Sequence, residues 1–150
     1  MSLDARTIIR RWFDEVWNQG REATVDELFA PHGIAHGLGE EADVQGPAGF
    51  KVFLRNMRSA FPDLHMQVED ILVDGDQAAL RVGFEGTHNG NGLGLPPTGR
   101  RVSVRGIVIV KIAGGQIVEG WNSWDQLGLL KQIGAMGDPQ GPDRFLAARS

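Results

Sequence analysis

The spacing of the apolar residues changes after Pro62, and this change limits the folds open to the chain. Before Pro62 the apolar residues recur at three- and four-residue steps, which is the period of an amphipathic helix. After Pro62 they alternate with polar residues, which is the period of a half-buried strand. Helices followed by strands predict an α+β domain in which the helices cover one face of a sheet.

The first part of the chain is predicted to contain three helices and one short strand. An apolar stripe with an acidic residue at its start predicts the first helix over 4–19. The second helix is short, covers 24–30 and is ended by a proline. A short strand over 33–37 precedes the third helix, which spans 46–60.

The second part of the chain is predicted to form a sheet of long strands. Asp74-Gly75 and Gly114-Gly115 are tight-turn sequences that join neighbouring strands into antiparallel hairpins. Long strands twist and curl in a small domain, so the face under the helices becomes concave and encloses a cavity for a small ligand. The predicted elements are strands over 64–73, 77–87, 101–112 and 116–124, a glycine- and proline-rich loop over 88–99, and a short helix over 127–133.

The length and the local composition predict one domain with a tail. The 150 residues fit a single domain, which we expect to cover 1–134. Glycine, aspartate and proline dominate 135–150, and this composition predicts a loosely ordered C-terminal tail.

The composition also excludes several classes of function. The net charge is -4 and no basic patch is visible, so we expect no nucleic-acid partner. The absence of cysteine excludes disulfides, thiolate metal sites and a cysteine nucleophile. The four histidines follow no metal-binding motif, so we expect no metal. The sequence shows no secretory pattern and no apolar run that could cross a membrane, and we expect a cytoplasmic protein.

Seven short segments, taken together and in order, resemble the SnoaL-like polyketide cyclases, which are also known as ester cyclases. The segments cover roughly residues 8–134, and the ordered set is more specific than any one of its members. They are Trp12–Gly20, Asp26–Ala30, Gly46–Phe50, Ala60–Leu64, Gly86–His88, Pro96–Arg100 and Trp121–Leu130.

This resemblance implies the cone-shaped fold of the nuclear transport factor 2-like superfamily, a cystatin-like α+β barrel in which N-terminal helices wrap a curved antiparallel sheet. The best-known members close a ring of an aromatic polyketide by intramolecular aldol condensation, without a metal or an organic cofactor. An aspartate at the end of their last strand acts as acid and base, and Asp125 stands at the matching place. Their pocket histidine on the preceding strand has no counterpart within 101–110.

Asp125 is therefore the first candidate for a catalytic residue. It follows Trp124, and a carboxylate that lies against indoles in an apolar cavity loses hydration and becomes a stronger base. An aldol closure needs a base that removes a proton next to a carbonyl, and then an acid that protonates the new alkoxide. The alternative is that Asp125 caps a helix beginning at Gln126, because aspartate is a favoured N-cap residue.

Two histidines and one arginine are further candidates. His36 is a possible catalytic partner of Asp125, or a partly buried histidine satisfied by the backbone. His88 begins the loop and either lies at the pocket mouth or is an exposed loop residue. Arg105 lies within a strand that we expect to be half-buried, so it needs a partner: Asp125, Glu119 or an anionic substrate.

The aromatic residues supply both the core and the predicted substrate pocket. Those on the cavity side are expected to stack on a flat ligand, whereas the others pack in the core. The predicted pocket residues are Trp12, Phe13, Phe53, Phe61, His88, Arg105, Trp121 and Trp124.

The predicted function is that of a cofactor-independent enzyme of the cyclase, isomerase or lyase type. Its substrate is expected to be a small, mostly apolar molecule that bears a carbonyl group, and the reaction an aldol cyclisation or a related isomerisation or dehydration. The alternative is a domain of the same fold that binds a small hydrophobic ligand without catalysis, or a dimeric assembly domain. The consecutive apolar residues Ile107–Val110 predict a sheet covered on both faces, the outer one by a second copy in a homodimer.

Overall fold

The computed structural model of the chain describes residues 4–38 and 42–135. Its helices are α1 (Ala5–Arg11), a π-helix (Trp12–Asn18), α2 (Glu22–Leu28), α3 (Gly46–Ala60) and α4 (Gln126–Gln132). Its strands are β1 (Phe29–His36), β2 (Val44–Gln45), β3 (His65–Asp74), β4 (Gln77–Thr87), β5 (Arg101–Ala113) and β6 (Gln116–Trp124). The predicted helices and strands are confirmed with shifts of a few residues at their ends, and β2 is an additional strand. After its first residue, the tail predicted for 135–150 lies outside the described residues.

The first predicted helix is divided between two helical forms. Asp4 caps α1, because its side chain accepts a hydrogen bond from the backbone nitrogen of Thr7 at 2.7 Å. From Trp12 onward the helix widens into a π-helix, a rare form that often occurs at functional sites. The wider turn brings residues five apart to the same side, and both Trp12 and Trp17 are buried.

Within the described part of the chain, no helix is long and apolar enough to cross a membrane.

The six strands form one open sheet in the order β2-β1-β6-β5-β4-β3. The predicted antiparallel arrangement is confirmed for β3 to β6, which neighbouring turns connect. Strand β1, however, lies parallel to β6, so the sheet is mixed and has edges at β2 and β3. No short turn joins β1 to β6, which are far apart in the chain, and the sequence pattern therefore does not fix their relative direction.

Alternation along the strands separates an inner face of the sheet from an outer one. In β5 the inner residues Val102, Val104, Val108 and Val110 are buried and belong to the core. They face the π-helix and α3, so that the N-terminal helices cover the concave side of the sheet. The outer residues of the same strand include Ile107 and Ile109, which are 50% and 41% exposed.

Two polar side chains connect the helical layer to the rest of the fold at the end of the π-helix. Asn18 pairs with the backbone of β3: its Nδ2 donates to the oxygen of Met66 at 3.0 Å, and its Oδ1 accepts from the nitrogen of Met66 at 2.7 Å. The Arg58 guanidinium of α3 donates to the backbone oxygen of Trp17 at 2.6 Å. These contacts satisfy backbone groups that would otherwise lack partners where the helix ends and the edge strand begins.

An ion-paired histidine connects β1 to β6 on the outer face of the sheet. The Nε2 atom of His36 lies 2.6 Å from Glu119, and its Nδ1 atom lies 2.7 Å from Asp43. Hydrogen bonding to Glu119, and then to Asp43, raises the pKa of His36 above its usual value. The imidazolium form is therefore the one that the folded chain favours.

We expect Asn18→Ala to lower the free energy of unfolding by about 2 kcal/mol, because both backbone groups of Met66 lose their partner. Urea unfolding followed by tryptophan fluorescence measures the change. Gln19→Ala is the matched control, since Gln19 is exposed and its loss is expected to change the free energy by less than about 0.5 kcal/mol. If both variants are as stable as the wild type, the contact between Asn18 and β3 contributes nothing.

We also expect the stabilisation by His36 to depend on pH. It is complete at pH values below about 6.5, where the unfolded chain is protonated as well, and it is lost as the pH rises through the raised pKa of the folded state. The difference in unfolding free energy between wild type and His36→Gln is therefore expected to be larger at about pH 6 than at about pH 9. A difference that stays constant over this range would contradict the role assigned to Glu119 and Asp43.

Candidate active site

A cavity of about 570 Å³ lies between the concave face of the sheet and the helices. This volume falls within the range of pockets that hold small organic molecules. Its walls come from the π-helix, α3, the inner face of the sheet and the loop between β4 and β5. The cavity is lined by four of the residues predicted for the pocket, Trp12, Phe13, Phe53 and Trp124, and by the predicted catalytic residue Asp125.

The helical wall of the cavity is aromatic. The ring centroids of Trp12 and Phe50 are 4.8 Å apart, and those of Trp17 and Phe53 are 5.9 Å apart in an edge-on arrangement. Phe29 of β1 extends the group, at 5.7 Å from Trp12. Packed rings of this kind hold one another in place and present flat surfaces on which a ring-shaped ligand can stack.

The opposite wall includes Trp124, which lies over a residue without a side chain. Gly106 is paired with Trp124 across β5 and β6, and a Cβ atom at Gly106 would come within 2.5 Å of the indole. Glycine at this position therefore allows the indole to lie directly on the strand. This close approach places the ring at the cavity surface, beside the carboxyl end of β6.

Polar side chains collect at one end of the cavity, where β6 ends and α4 begins. Asn122 is an inner residue of β6, on the same face as Gly120 and Trp124, whereas Asp125 and Gln126 follow the strand. Asp125 is the N-cap of α4: its Oδ1 accepts a hydrogen bond from the backbone nitrogen of Gly128 at 2.9 Å. The two interpretations that the sequence left open for Asp125 are thus compatible, because the residue that caps the helix also lines the cavity.

The environment of Asp125 differs from the dry pocket expected for it. The residue is exposed, because it lies at the open end of the cavity where the chain leaves the sheet. One carboxylate oxygen is held by the helix cap, and the other has no hydrogen-bond partner among the described residues. The helix cap therefore orients the carboxylate and leaves one of its oxygens without a partner among the described residues.

Phe61 and His88, both predicted for the pocket, lie in the core instead. Phe61 is fully buried against Phe84 and His88, with ring centroids 5.0 Å and 5.5 Å away. His88 is also fully buried, and its Nδ1 accepts a hydrogen bond from the backbone nitrogen of Thr98 at 3.3 Å. Burial lowers the pKa of His88. Neither residue lines the cavity, since both pack at the end of β4, near the base of the loop.

The side chains of His36, Trp121 and Arg105 lie on the outer face of the sheet and do not line the cavity, contrary to the roles predicted for them. The backbone oxygen of Arg105 nevertheless accepts a hydrogen bond from the backbone nitrogen of Asp125 at 3.2 Å. His36 pairs in register with Trp121 and stacks on it, with ring centroids 5.8 Å apart. Arg105 is mostly exposed and forms an ion pair with Glu69 of β3, which was not among its expected partners. The reason is strand alternation: each of these residues has inward-facing neighbours, so its own side chain points outward.

The sequence analysis did not assign to the pocket two parts of the cavity wall: its amide side chains and the loop between β4 and β5. Asn122 and Gln126 carry no chemical signature of their own, although the parity of Asn122 along β6 matches that of Trp124. The loop contributes Leu93 and Leu95 to the wall. It approaches α3 closely at Gly92, where a Cβ atom would lie 1.9 Å from a backbone oxygen of the helix.

Within 4–38 and 42–135, no group of three or more acidic or histidine side chains is arranged to hold a metal ion.

Comparison with known proteins agrees with this architecture. The family model described as SnoaL-like polyketide cyclase matches residues 7–133. Aklanonic acid methyl ester cyclase DnrD of Streptomyces peucetius is 28% identical over 129 residues, which are 85% of this chain and 88% of that protein. Nogalonic acid methyl ester cyclase of Streptomyces nogalater is 28% identical over 120 residues, which are 79% of this chain and 89% of that protein.

A solved structure shows the same arrangement of helices and strands. TsrD from Streptomyces laurentii superposes with a TM-score of 0.78 at 31% identity, over 89% of this chain and 99% of that one. The match of the family model over most of the chain, with the order of motifs and the fold that it implies, shows that this chain belongs to the SnoaL-like polyketide cyclase family.

Proposed function

We propose that the protein is a cyclase-type enzyme that uses Asp125 as acid and base on a small, mostly apolar substrate bearing a carbonyl group. The observation that supports this best is the position of Asp125, which lines an aromatic cavity and whose carboxylate is oriented by the cap of α4. The names of the relatives favour ring closure over other reactions, since DnrD is an aklanonic acid methyl ester cyclase.

The proposed reaction is an intramolecular aldol closure. The carboxylate of Asp125 removes a proton from the carbon next to a carbonyl, and the resulting enolate attacks a second carbonyl carbon of the same molecule. A carbon–carbon bond forms, the second carbonyl becomes an alkoxide, and the carboxylic acid returns its proton to that oxygen. The product is an isomer of the substrate, so the reaction needs no oxidant or reductant.

The lining of the cavity favours a neutral substrate. Lysine, arginine and histidine are absent from the described residues that line it, and its polar end consists of amides and one carboxylate. A carboxylate group of a ligand would be desolvated there without a cationic partner, which is costly. A methyl ester carries no such charge, and we propose an ester of this kind as the substrate.

The imidazole of His36 has no part in this mechanism, because it is held on the outer face by Glu119 and Asp43. Its backbone oxygen nevertheless accepts a hydrogen bond from Asn122 at 2.9 Å. His36 thus contributes to the site through the main chain of β1, which supports a cavity residue of β6.

The central test replaces Asp125 by asparagine. Asparagine is an equally good N-cap residue, so α4 and the thermal stability are expected to be preserved while the base is lost. We expect kcat to fall about a hundredfold or more with aklanonic or nogalonic acid methyl ester as substrate. Asp125→Ser is a second variant that also keeps a cap and lacks the base, and it should show the same loss.

The opposite results would point to the alternatives. If Asp125→Asn keeps the wild-type rate, another group is the base. If the wild type binds either ester without converting it, the domain binds a hydrophobic ligand and is not a cyclase of these substrates.

We further propose that the protein is a homodimer in which the outer face of the sheet is covered by a second copy. Leu72, Ala79, Ile109 and Trp121 are successive partners across β3, β4, β5 and β6, and they form an apolar row on this face. Leu72, Ile109 and Trp121 are 71%, 41% and 38% exposed. A contiguous row of apolar residues, most of them large and exposed to water, is typical of an interaction surface.

Ile109→Lys is expected to convert the dimer to a monomer, because a charge would be buried without a partner at the centre of this row. Sedimentation equilibrium at micromolar concentration measures the change in mass. Val52→Lys is the control: Val52 is 54% exposed on α3, away from the outer face, and its replacement should leave the mass unchanged. A wild-type protein that sediments as a monomer would contradict the proposal.

A further inference from the structure

The loop between β4 and β5 is closed at its base by His88. The backbone nitrogen of His88 donates to the oxygen of Arg100 at 2.9 Å, and its backbone oxygen accepts from the nitrogen of Gly99 at 2.8 Å. The imidazole adds a side-chain contact, because its Nδ1 accepts from the backbone nitrogen of Thr98 at 3.3 Å and lies 3.1 Å from the Thr98 hydroxyl. One residue therefore joins the first part of the loop to the last.

The contacts of the imidazole fix its protonation state. A backbone N–H can only donate a hydrogen bond, so Nδ1 must be unprotonated to accept from Thr98. The proton of the neutral ring then lies on Nε2, which is buried and has no hydrogen-bond partner among the described residues. A second proton would turn Nδ1 into a donor that faces the donor of Thr98, and it would place a charge in a buried site. Burial accordingly lowers the pKa of His88.

No carboxylate among the described residues pairs with this imidazole. Asp63 and Glu85, the two acidic residues on the adjoining segments, both pair with Arg101, each at 3.5 Å. A proton on His88 would therefore find no negative partner to offset it. The charged and titratable residues of the segments around His88 are Arg58, Asp63, His65, Glu85, Arg100 and Arg101.

The loop that His88 closes forms part of the cavity wall. The backbone nitrogen of Gly90 donates to the oxygen of Ala60 at 3.1 Å, which holds the loop on the end of α3. Leu93 and Leu95 follow within the same loop and line the cavity. The position of these two leucines therefore depends on the closure of the loop at its base.

We infer that His88 is a positioning residue whose neutral imidazole holds the loop closed, and whose protonation in acid releases the wall formed by Leu93 and Leu95. The inference deepens the proposed function, on which it rests only for the use of the cavity as the substrate site. It makes the shape of the cavity depend on pH through a residue that does not line it.

Closure of the loop is expected to be strongest at neutral pH. Above about pH 6.5, His88 is neutral whether the loop is open or closed, so closure carries no protonation cost. Below that pH the open loop takes up a proton that the closed loop does not, and closure weakens until the pH reaches the lowered pKa of the closed state. Between pH 7.5 and pH 5.5 the ratio of open to closed loop is expected to rise by about fivefold to tenfold.

Hydrogen–deuterium exchange, followed by mass spectrometry, measures this opening without any ligand. After correction for the intrinsic pH dependence of exchange, the backbone amides of residues 88–99 in the wild type are expected to be about fivefold to tenfold less protected at pH 5.5 than at pH 7.5. The amides of residues 77–84 in β4 are the internal control, and their protection is expected to stay constant.

His88→Asn keeps an acceptor near the place of Nδ1 but cannot take up a proton in this pH range. It is expected to make the protection of residues 88–99 equal at the two pH values. His65→Asn is the matched control, because His65 is exposed at the start of β3, and this variant should keep the pH dependence of the wild type. His88→Phe keeps a ring against Phe61 and lacks both the acceptor and the proton, so the loop should be less protected, and equally so at both pH values.

Three results would overturn the inference: a wild-type loop equally protected at both pH values, a pH dependence that persists in His88→Asn, or one that disappears in His65→Asn. If asparagine prevents folding, His88→Phe decides in the same way, since a pH dependence that persists there also contradicts the role of His88. Asp125→Asn is expected to keep the pH dependence of the loop, so the failure of the proposed mechanism and the failure of this inference give different results.

Discussion

The structure depends on helices that cover the concave face of the sheet without filling the space between the helices and the strands. Burial of the apolar inner residues of β4 and β5 drives the helices onto the sheet. The indoles of the π-helix pack against Phe50 of α3, and Trp12 also packs against Phe29 of β1. The rings support one another at the edges, and a space of ligand size persists between two apolar layers.

The position of Asp125 follows from the place where this space opens. A strand that ends at the rim and turns directly into a helix leaves a capping residue at that point. Asp125 caps the helix with one carboxylate oxygen and is also among the residues that line the cavity. The helix cap and a position at the edge of the cavity thus belong to the same residue, and sequence patterns alone gave no reason to prefer either interpretation.

Periodicity predicted the elements well, because each strand of the hairpins and each helix has its own local pattern and its own turn or capping residues. It did not predict the parallel contact of β1 with β6, since no local turn encodes it. The resemblance supplied the family and the fold, which the comparisons confirm. Residue type proved a poor guide to the face of the sheet: Arg105 and Trp121 were assigned to the pocket for their chemistry, although strand parity directs them outward.

The loop between β4 and β5 shapes part of the cavity, although it belongs to neither the sheet nor the helices. Its base is pinned by fully buried His88 and by glycines that lie directly on α3, while Leu93 and Leu95 reach the cavity from its middle. Side chains at those two positions can change in size without altering a strand or a helix, because loops tolerate variation that cores do not. Substitutions in this short loop can therefore change the binding volume, and with it the substrate, while the strands and helices stay the same.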